Sequence, residues 1–490
     1  MTADELSERA FGTATFAPFD LHSRAHREAA AALRDRLIAV GFGPDRAAAL
    51  FGVTELAEVR ARRSAYYTSF VLPNDAAGCA ARFFVLHEPE SDANLRRLLG
   101  PALVGFLHEM AAITKEGDGW RSVVSVSWFA GCLVLADARA YNLVWPVDPP
   151  PDYVMPPGGD SVGLLRVAPR RRCATALDLC CGAGAQTLAA AAYSESVVGV
   201  DLNPRALRFA RVNAAANRLE NVSFVQGDCY DRLDDRRFDV ILANPPFVPR
   251  PSPDPLLYRG GGPLGDEVVR RILSGATERL RPGGSLAIVA DIVDVQTLPE
   301  RIRRWQGDDR RTLILLQRPY ELIAYAETHA AHLASSEERE AETMRLMRHF
   351  AQRGIATLDF GYILQDGEPG STHVFRTSAA AGGDVHHDVS AWFLHQQRLA
   401  RGGIDALRLR LAPGTALVRE AVTASDGSRA ALRQLLAGPG SIHETTSLSE
   451  EAYALLGRIT DGGLSFRDLT DVRERDLLRE LLEVGVVRLG

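Results

Sequence analysis

Lysine is nearly missing from this chain of 490 residues: Lys115 stands alone against 55 Arg. Acidic residues still outnumber basic ones, 62 to 56, giving a formal net charge of −6 and a pI near 6.1. The whole molecule therefore has no electrostatic attraction to phosphates, and the Arg excess, set among abundant alanine, reads as the mark of a GC-rich genome. Cysteine is scarce as well. The six, at positions 79, 132, 173, 180, 181 and 229, show neither a Cys-x-x-Cys pair nor a metal-ligand spacing. That excludes a disulfide framework and reads as buried thiols in a reducing compartment. No apolar run approaches the ~18 residues of a membrane span, and the first residues, Met1-Thr2-Ala3-Asp4-Glu5, are acidic where a secretory leader would be basic. A membrane association is not expected, and the expected location is cytoplasmic.

What is present is ordinary globular material, 46% apolar and 24% charged. The length asks for roughly two to four domains. One stretch organises the rest. Ala174–Leu179 is a short apolar run that reads as a buried parallel strand, followed at once by Cys180-Cys181-Gly182-Ala183-Gly184-Ala185 and an alanine-rich helix. Val197–Val200 reads as a second strand ending on Asp201, 19 positions after Gly182, where a carboxylate can accept hydrogen bonds from ribose hydroxyls. Val222–Gln226 and Phe238–Ala243 read as two further strands, ending in Gly227-Asp228-Cys229 and in Asn244-Pro245-Pro246-Phe247. In an open α/β sheet such ends converge on the ligand. A dinucleotide is disfavoured, because Gly182-x-Gly184-x-x-Thr187 lacks the third glycine of that fingerprint.

From Ala174 to about Gln365 the sequence resembles the class I S-adenosylmethionine-dependent methyltransferases, in particular the branch whose fourth strand ends in Asn-Pro-Pro-Phe or Asn-Pro-Pro-Tyr. The resemblance implies S-adenosylmethionine as cofactor and a set of roles. Gly182 and Gly184 bring backbone close to its methionine part, and Asp178 helps hold the amino group. Asp201, with Leu202 beside it, takes the ribose, and Asp228 with the Cys229 amide reads the adenine. Cys180 departs from the family turn, which has glycine there. Asn244 borders both cofactor and acceptor.

The chemistry of the Asn-Pro-Pro-Phe turn points to nitrogen. Two acceptors, Asn244 Oδ1 and the Pro245 carbonyl, can orient the two N–H groups of a planar amide or amine and stabilise charge growing on it. Pro245 and Pro246 stiffen the strand end, and Phe247 can stack on the planar group. Expected function is therefore N-methylation of a small biosynthetic metabolite or a peptide. Relatives of this branch modify glutamine in translation release factors or exocyclic amines of RNA, so protein and RNA acceptors stay open. So does a non-catalytic adenosylmethionine-binding module, which would not need the Asn244 cradle.

Around this core, His26–Val40 and Leu95–Met110 read as amphipathic helices and Trp120–Ala136 as a hairpin turning at Ala130-Gly131, a winged-helix-like module for substrate docking or homodimerisation. Pro146–Gly159 reads as a stiff linker skirting the cofactor, which brings Tyr153 to it by analogy with relatives. After Phe247 a Pro- and Gly-rich loop carrying Tyr258 and Arg259 is expected to act as a specificity lid, with Asp266 capping the next helix. His329 with His332, and His386-His387-Asp388 with His395, read as ordinary histidines rather than metal ligands. The expected architecture is α/β: a seven-stranded Rossmann-like methyltransferase core over residues 146–378, between mainly helical, winged-helix-like domains at 1–145 and 379–490.

Overall fold

The computed structural model describes residues 14–59, 63–138, 149–251, 256–331, 333, 335–377, 383–402, 408–423, 429–437, 441–460 and 464–489. Helix α1 (Arg24–Ala39) starts where the Ser23 side chain accepts the His26 N–H. Next come α2 (Ala76–Phe84), β1 (Glu90–Ser91), α3 (Asp92–Leu99), α4 (Pro101–Glu109), β2 (Ile113–Glu116) and β3 (Gly119–Ser122). The three strands pair in the order β1-β3-β2. The hairpin of this small sheet is β2-β3, while the expected 120–136 hairpin is split between β3 and a further strand pair, and the expected helix over Leu95–Met110 is broken in two. Gly100, at φ +83, and Pro101, at the first helical position, make that break. The hairpin turning at Ala130-Gly131 is a separate pair, β4 (Val124–Phe129) and β5 (Cys132–Asp137), whose two loop residues both take positive φ.

The main sheet is built from β6 (Cys173–Leu179), β7 (Ser194–Asp201), β8 (Val222–Gln226), β9 (Phe238–Ala243), β10 (Leu280–Val293), β11 (Arg310–Pro319), β12 (Leu358–Pro369) and β13 (Thr372–Arg376). They lie in the order β13-β11-β12-β10-β9-β6-β7-β8, with β12 antiparallel to both neighbours. The sheet has one strand more than the seven expected: β13 adds itself to the edge beside β11. Helices α5 (Gly159–Val167), α6 (Ala185–Ala190), α7 (Pro204–Ala216), α8 (Glu267–Arg279) and α9 (Leu298–Gln306) cover the two faces. Between β11 and β12 the chain inserts α10 (Leu322–Ala330) and α11 (Ser336–Arg353), the latter opened by a capping box of Ser335 and Glu338.

The flanking segments share cores with this sheet. Phe16, Leu37 and Phe84 of the amino-terminal part pack in one apolar cluster with Phe209 and Val212 of α7. On the other side α12 (His386–Arg401) sends Val389, Trp392 and Phe393 into the cluster that holds Leu313 and Leu364 of the sheet. Beyond it, β14 (Leu409–Leu411), β15 (Thr415–Thr423), β16 (Arg429–Ala437), β17 (Thr446–Ser447), α13 (Glu450–Thr460), α14 (Val472–Glu483) and β18 (Val487–Leu489) form a smaller unit around Leu456, Leu478 and Val487. The turn expected at Asp461–Gly463, the linker residues 146–148 and His332 lie outside the described residues.

Candidate functional site

The sheet reverses direction of winding between β6 and β9, and the carboxyl ends of β6, β7, β8 and β9 open there. Asp178 lies near the end of β6 and is 1% exposed. Its Oδ2 accepts the Thr187 backbone N–H at 2.8 Å and the Thr187 hydroxyl at 2.6 Å, while Oδ1 is buried with no hydrogen-bond partner among the described residues. Burial pushes the carboxyl up to about 7 against the pull of those two donors. The turn that follows is made of left-handed residues: Cys180 at φ +57, Gly182 at +54 and Gly184 at +87. Cys180 thus adopts the glycine-type conformation that its neighbours obtain without a side chain.

The two glycines differ in what they face. A Cβ at Gly182 would meet nothing within 4 Å, so this backbone borders open space. A Cβ at Gly184 would lie 3.2 Å from Ala210, so close packing on α7 is what glycine permits there. Asp201, half-buried, accepts the Gly182 N–H at 2.8 Å through Oδ2 and the Asn203 N–H at 2.8 Å through Oδ1. It ties the β6 turn to the β7 turn, and each oxygen keeps a lone pair for another donor. Leu202 beside it is 53% exposed. Asp228 pairs with Arg271 at 2.8 Å, and the buried Cys229 takes φ +51, its thiol pushed up to about 12 by burial.

Asn244 follows β9 directly. Its Nδ2 donates to Asp160 Oδ2 at 2.8 Å and to Ser161 Oγ at 3.2 Å, both on the first turn of α5. A carboxylate only accepts, so this contact fixes which end of the amide is which: Nδ2 turns to α5 and Oδ1 turns away. Neither Asp160 nor Ser161 was singled out in the sequence, where Pro146–Gly159 reads as a linker; the helix that carries them begins at Gly159. Phe247, half-buried, has its ring 6.4 Å from Phe360 of β12.

The lid and the linker are firmly built. Val248 N donates to Arg259 O at 3.0 Å, Gly261 N to Val248 O at 3.1 Å and Leu257 N to Pro151 O at 3.1 Å. Tyr153 is 3% exposed, gives its hydroxyl to Ala138 O at 3.2 Å and packs its ring 5.4 Å from Tyr258. Its hydroxyl thus goes to the amino-terminal part, and its ring to the loop after β9. Arg259 is 7% exposed and donates to His329 O, and Arg250 pairs with Glu342 of α11. Asp266 leaves the cap of α8 unmade and pairs with Arg301 at 2.9 Å. The carboxy-terminal histidines go to separate partners. His386 meets Asp384 and Arg170, Asp388 pairs with Arg488, and His395 Nε2 lies 2.7 Å from the Leu482 carbonyl.

A family model described as "Methyltransferase small domain" matches residues 161–294, from Ser161 through Asn244 to just past β10. The protein described as "Putative protein N5-glutamine methyltransferase" from Methanocaldococcus jannaschii is 31% identical over 142 residues, 28% of this chain and 71% of its own. The chain belongs to the class I S-adenosylmethionine-dependent methyltransferases. Within them it falls in the branch that includes the glutamine methyltransferases. The ribosomal protein uL3 glutamine methyltransferase of Bradyrhizobium diazoefficiens is 38% identical over 122 residues, 22% of this chain and 38% of its own. That of Xanthomonas campestris is 32% identical over 171 residues, 33% of this chain and 53% of its own. The chain thus spans about half the length, or less, of the curated relatives it matches first. The residues present fit the family's cofactor: Asp178 Oδ1 is a buried acceptor awaiting a donor such as an ammonium, and Gly182 faces open space above Asp201.

Proposed function

We propose that this family member methylates the nitrogen of a carboxamide, and that its acceptor is a glutamine side chain presented by a protein or peptide. The observation that carries the reading is the fixed amide of Asn244, whose Oδ1 is turned outward by the contact of Nδ2 with Asp160. S-adenosylmethionine, when bound, supplies an activated methyl group, so the protein's task is placement and charge stabilisation. Asp178 and Asp201 hold the cofactor from the β6 and β7 ends, with Asp228 and the Cys229 amide at its base. Asn244 Oδ1 and the Pro245 carbonyl receive the two N–H groups of the acceptor. An amide nitrogen is a poor donor of its lone pair, and oxygens aimed at its hydrogens favour the state in which positive charge collects on it. Phe247 provides a flat face, and the roof of Tyr153 and Tyr258 excludes water.

The glutamine assignment draws on the names of the relatives, which act on glutamine of proteins. It moves the small metabolite expected from sequence behind a peptide. The test is transfer of radiolabelled methyl from S-adenosylmethionine into glutamine peptides, host protein, RNA and small-molecule extracts. Label appearing as N5-methylglutamine supports the reading; label confined to RNA or metabolites refutes it.

A further inference from the structure

Asp291 is a buried carboxylate to which the reading above gives no task. It lies on β10, 4% exposed, directly opposite Phe360 of β12. Opposed residues of an antiparallel pair project from one face of the sheet as close neighbours. The Phe360 ring is 6.4 Å from Phe247 and 5.5 Å from Tyr362. The Tyr362 hydroxyl occupies the place of a Gly163 side chain on α5, the helix that holds Asp160 against Asn244. Asp291 therefore stands in the same wall as the Asn244–Phe247 turn. The Tyr325 hydroxyl of α10 donates to its Oδ2 at 2.6 Å, and Oδ1 is buried with no hydrogen-bond partner among the described residues.

Among the described residues no ion pair joins Asp291 to a cation, and the one charged side chain raising it is Asp160. Asp160, Tyr320 and Tyr362 lie close enough to act on one another or on Asp291, and all are acids. On the far side of Tyr325, Arg250 pairs with Glu342 and the His329 ring lies 4.4 Å from the Tyr325 ring. Burial and the neighbouring Asp160 push Asp291 up to about 7. A buried carboxylate oxygen without a donor is unfavourable, and the usual remedies are a proton or a bound cation.

We propose that Asp291 forms the floor of a cation subsite beside Asn244, which takes a guanidinium or ammonium group that the acceptor carries near its methylated nitrogen. The inference rests on the reading that the acceptor docks at Asn244. A guanidinium suits the place because its N–H fork can meet a carboxylate oxygen while one flat face lies on a neighbouring ring, Phe247 or Phe360. For a peptide acceptor this selects an Arg or Lys close to the glutamine.

The experiment is calorimetric titration of methylguanidinium into the full chain loaded with S-adenosylhomocysteine, at a pH above the titration of Asp291. Wild type is expected to bind, Asp291→Asn to bind at least tenfold more weakly, and Tyr325→Phe to bind no worse than wild type. Unchanged affinity for S-adenosylhomocysteine reports an intact fold; Asp291→Ser replaces the Asn variant where that fold is lost. Equal binding by wild type and Asp291→Asn, or none by wild type, overturns the proposal. So does an Asp291→Asn variant that loses S-adenosylmethionine affinity relative to S-adenosylhomocysteine while methylguanidinium binding is unchanged, because the carboxylate would then serve the sulfonium. No methyl acceptor enters this assay, so its result is independent of whether glutamine is the acceptor.

Discussion

Asn244 and Asp160 stand 84 positions apart in the chain and meet at 2.8 Å, amide nitrogen to carboxylate. The contact ties the end of β9 to the start of α5 and sets the orientation of the Asn244 amide, which without a fixed acceptor on that side is free to turn over.

Asn244→Ala removes the side-chain acceptor and leaves the prolines and the cofactor contacts in place. Turnover should fall by roughly 10²- to 10³-fold with little change in cofactor affinity, as for the loss of one donor of an oxyanion hole. Asp160→Ala should lower kcat less, and Asp160→Asn least, because its amide oxygen still accepts from Nδ2. A normal kcat with poor adenosylmethionine binding in Asn244→Ala would make Asn244 a cofactor ligand instead.

Asp201→Ala should weaken S-adenosylhomocysteine binding by about 1.5 to 3 kcal/mol, the range for hydrogen bonds to a charged group. The structure adds a second expectation. Since Asp201 also accepts the Gly182 N–H, the variant should speed hydrogen exchange at the β6 turn in the free protein. Calorimetry with unchanged affinity would remove Asp201 from the site.

The pair Asp137–Arg205 joins β5 to the start of α7 with side chains 0% and 1% exposed. Asp137 also accepts the Val154 N–H at 2.7 Å, so the pair anchors the strap that carries Tyr153. Asp137→Ala leaves a buried guanidinium and should cost about 3 to 5 kcal/mol of stability in urea unfolding. The double variant Asp137→Leu, Arg205→Leu should recover a large part of it. A double variant no more stable than Asp137→Ala would show that the strap, not the stranded charge, dominates.

His395 and His443, buried in the carboxy-terminal part, are both pushed down to about 4 by burial from an ordinary value of 6.5. Folded, they stay neutral where the unfolded chain takes up protons. Their contribution to stability is full above about 6.5 and is lost as the pH falls toward about 4. Asp178 and Asp291, raised to about 7 in the methyltransferase core, act with the opposite sign: they favour the folded state at low pH and lose that effect as the pH rises to about 7. Acidification should therefore loosen the carboxy-terminal unit first. Hydrogen exchange of α12, read by mass spectrometry, should speed up from pH 6.5 to 4 and respond less in His395→Gln. Exchange that slows or stays level through that window would refute this.

The sequence by itself determined the βαβ core and the identity of the residues at its strand ends. Local rules suffice there: an apolar run of strand length, small residues that tolerate positive φ at Gly182 and Gly184, and a proline pair that stops β9. It also determined the hairpin turn at Ala130-Gly131. Only the tertiary structure decided which way Asn244 faces, that Gly184 answers to α7, and that Tyr153 spends its hydroxyl on Ala138. It also set Asp291 opposite Phe360, whose ring meets that of Phe247. Each of these depends on a partner dozens of residues away, and a carboxylate carries no sign in its own sequence of whether a donor will reach it. Neighbouring residues fix backbone shape through sterics and hydrogen bonding along the chain, whereas the state of a buried polar group is set by which distant element covers it.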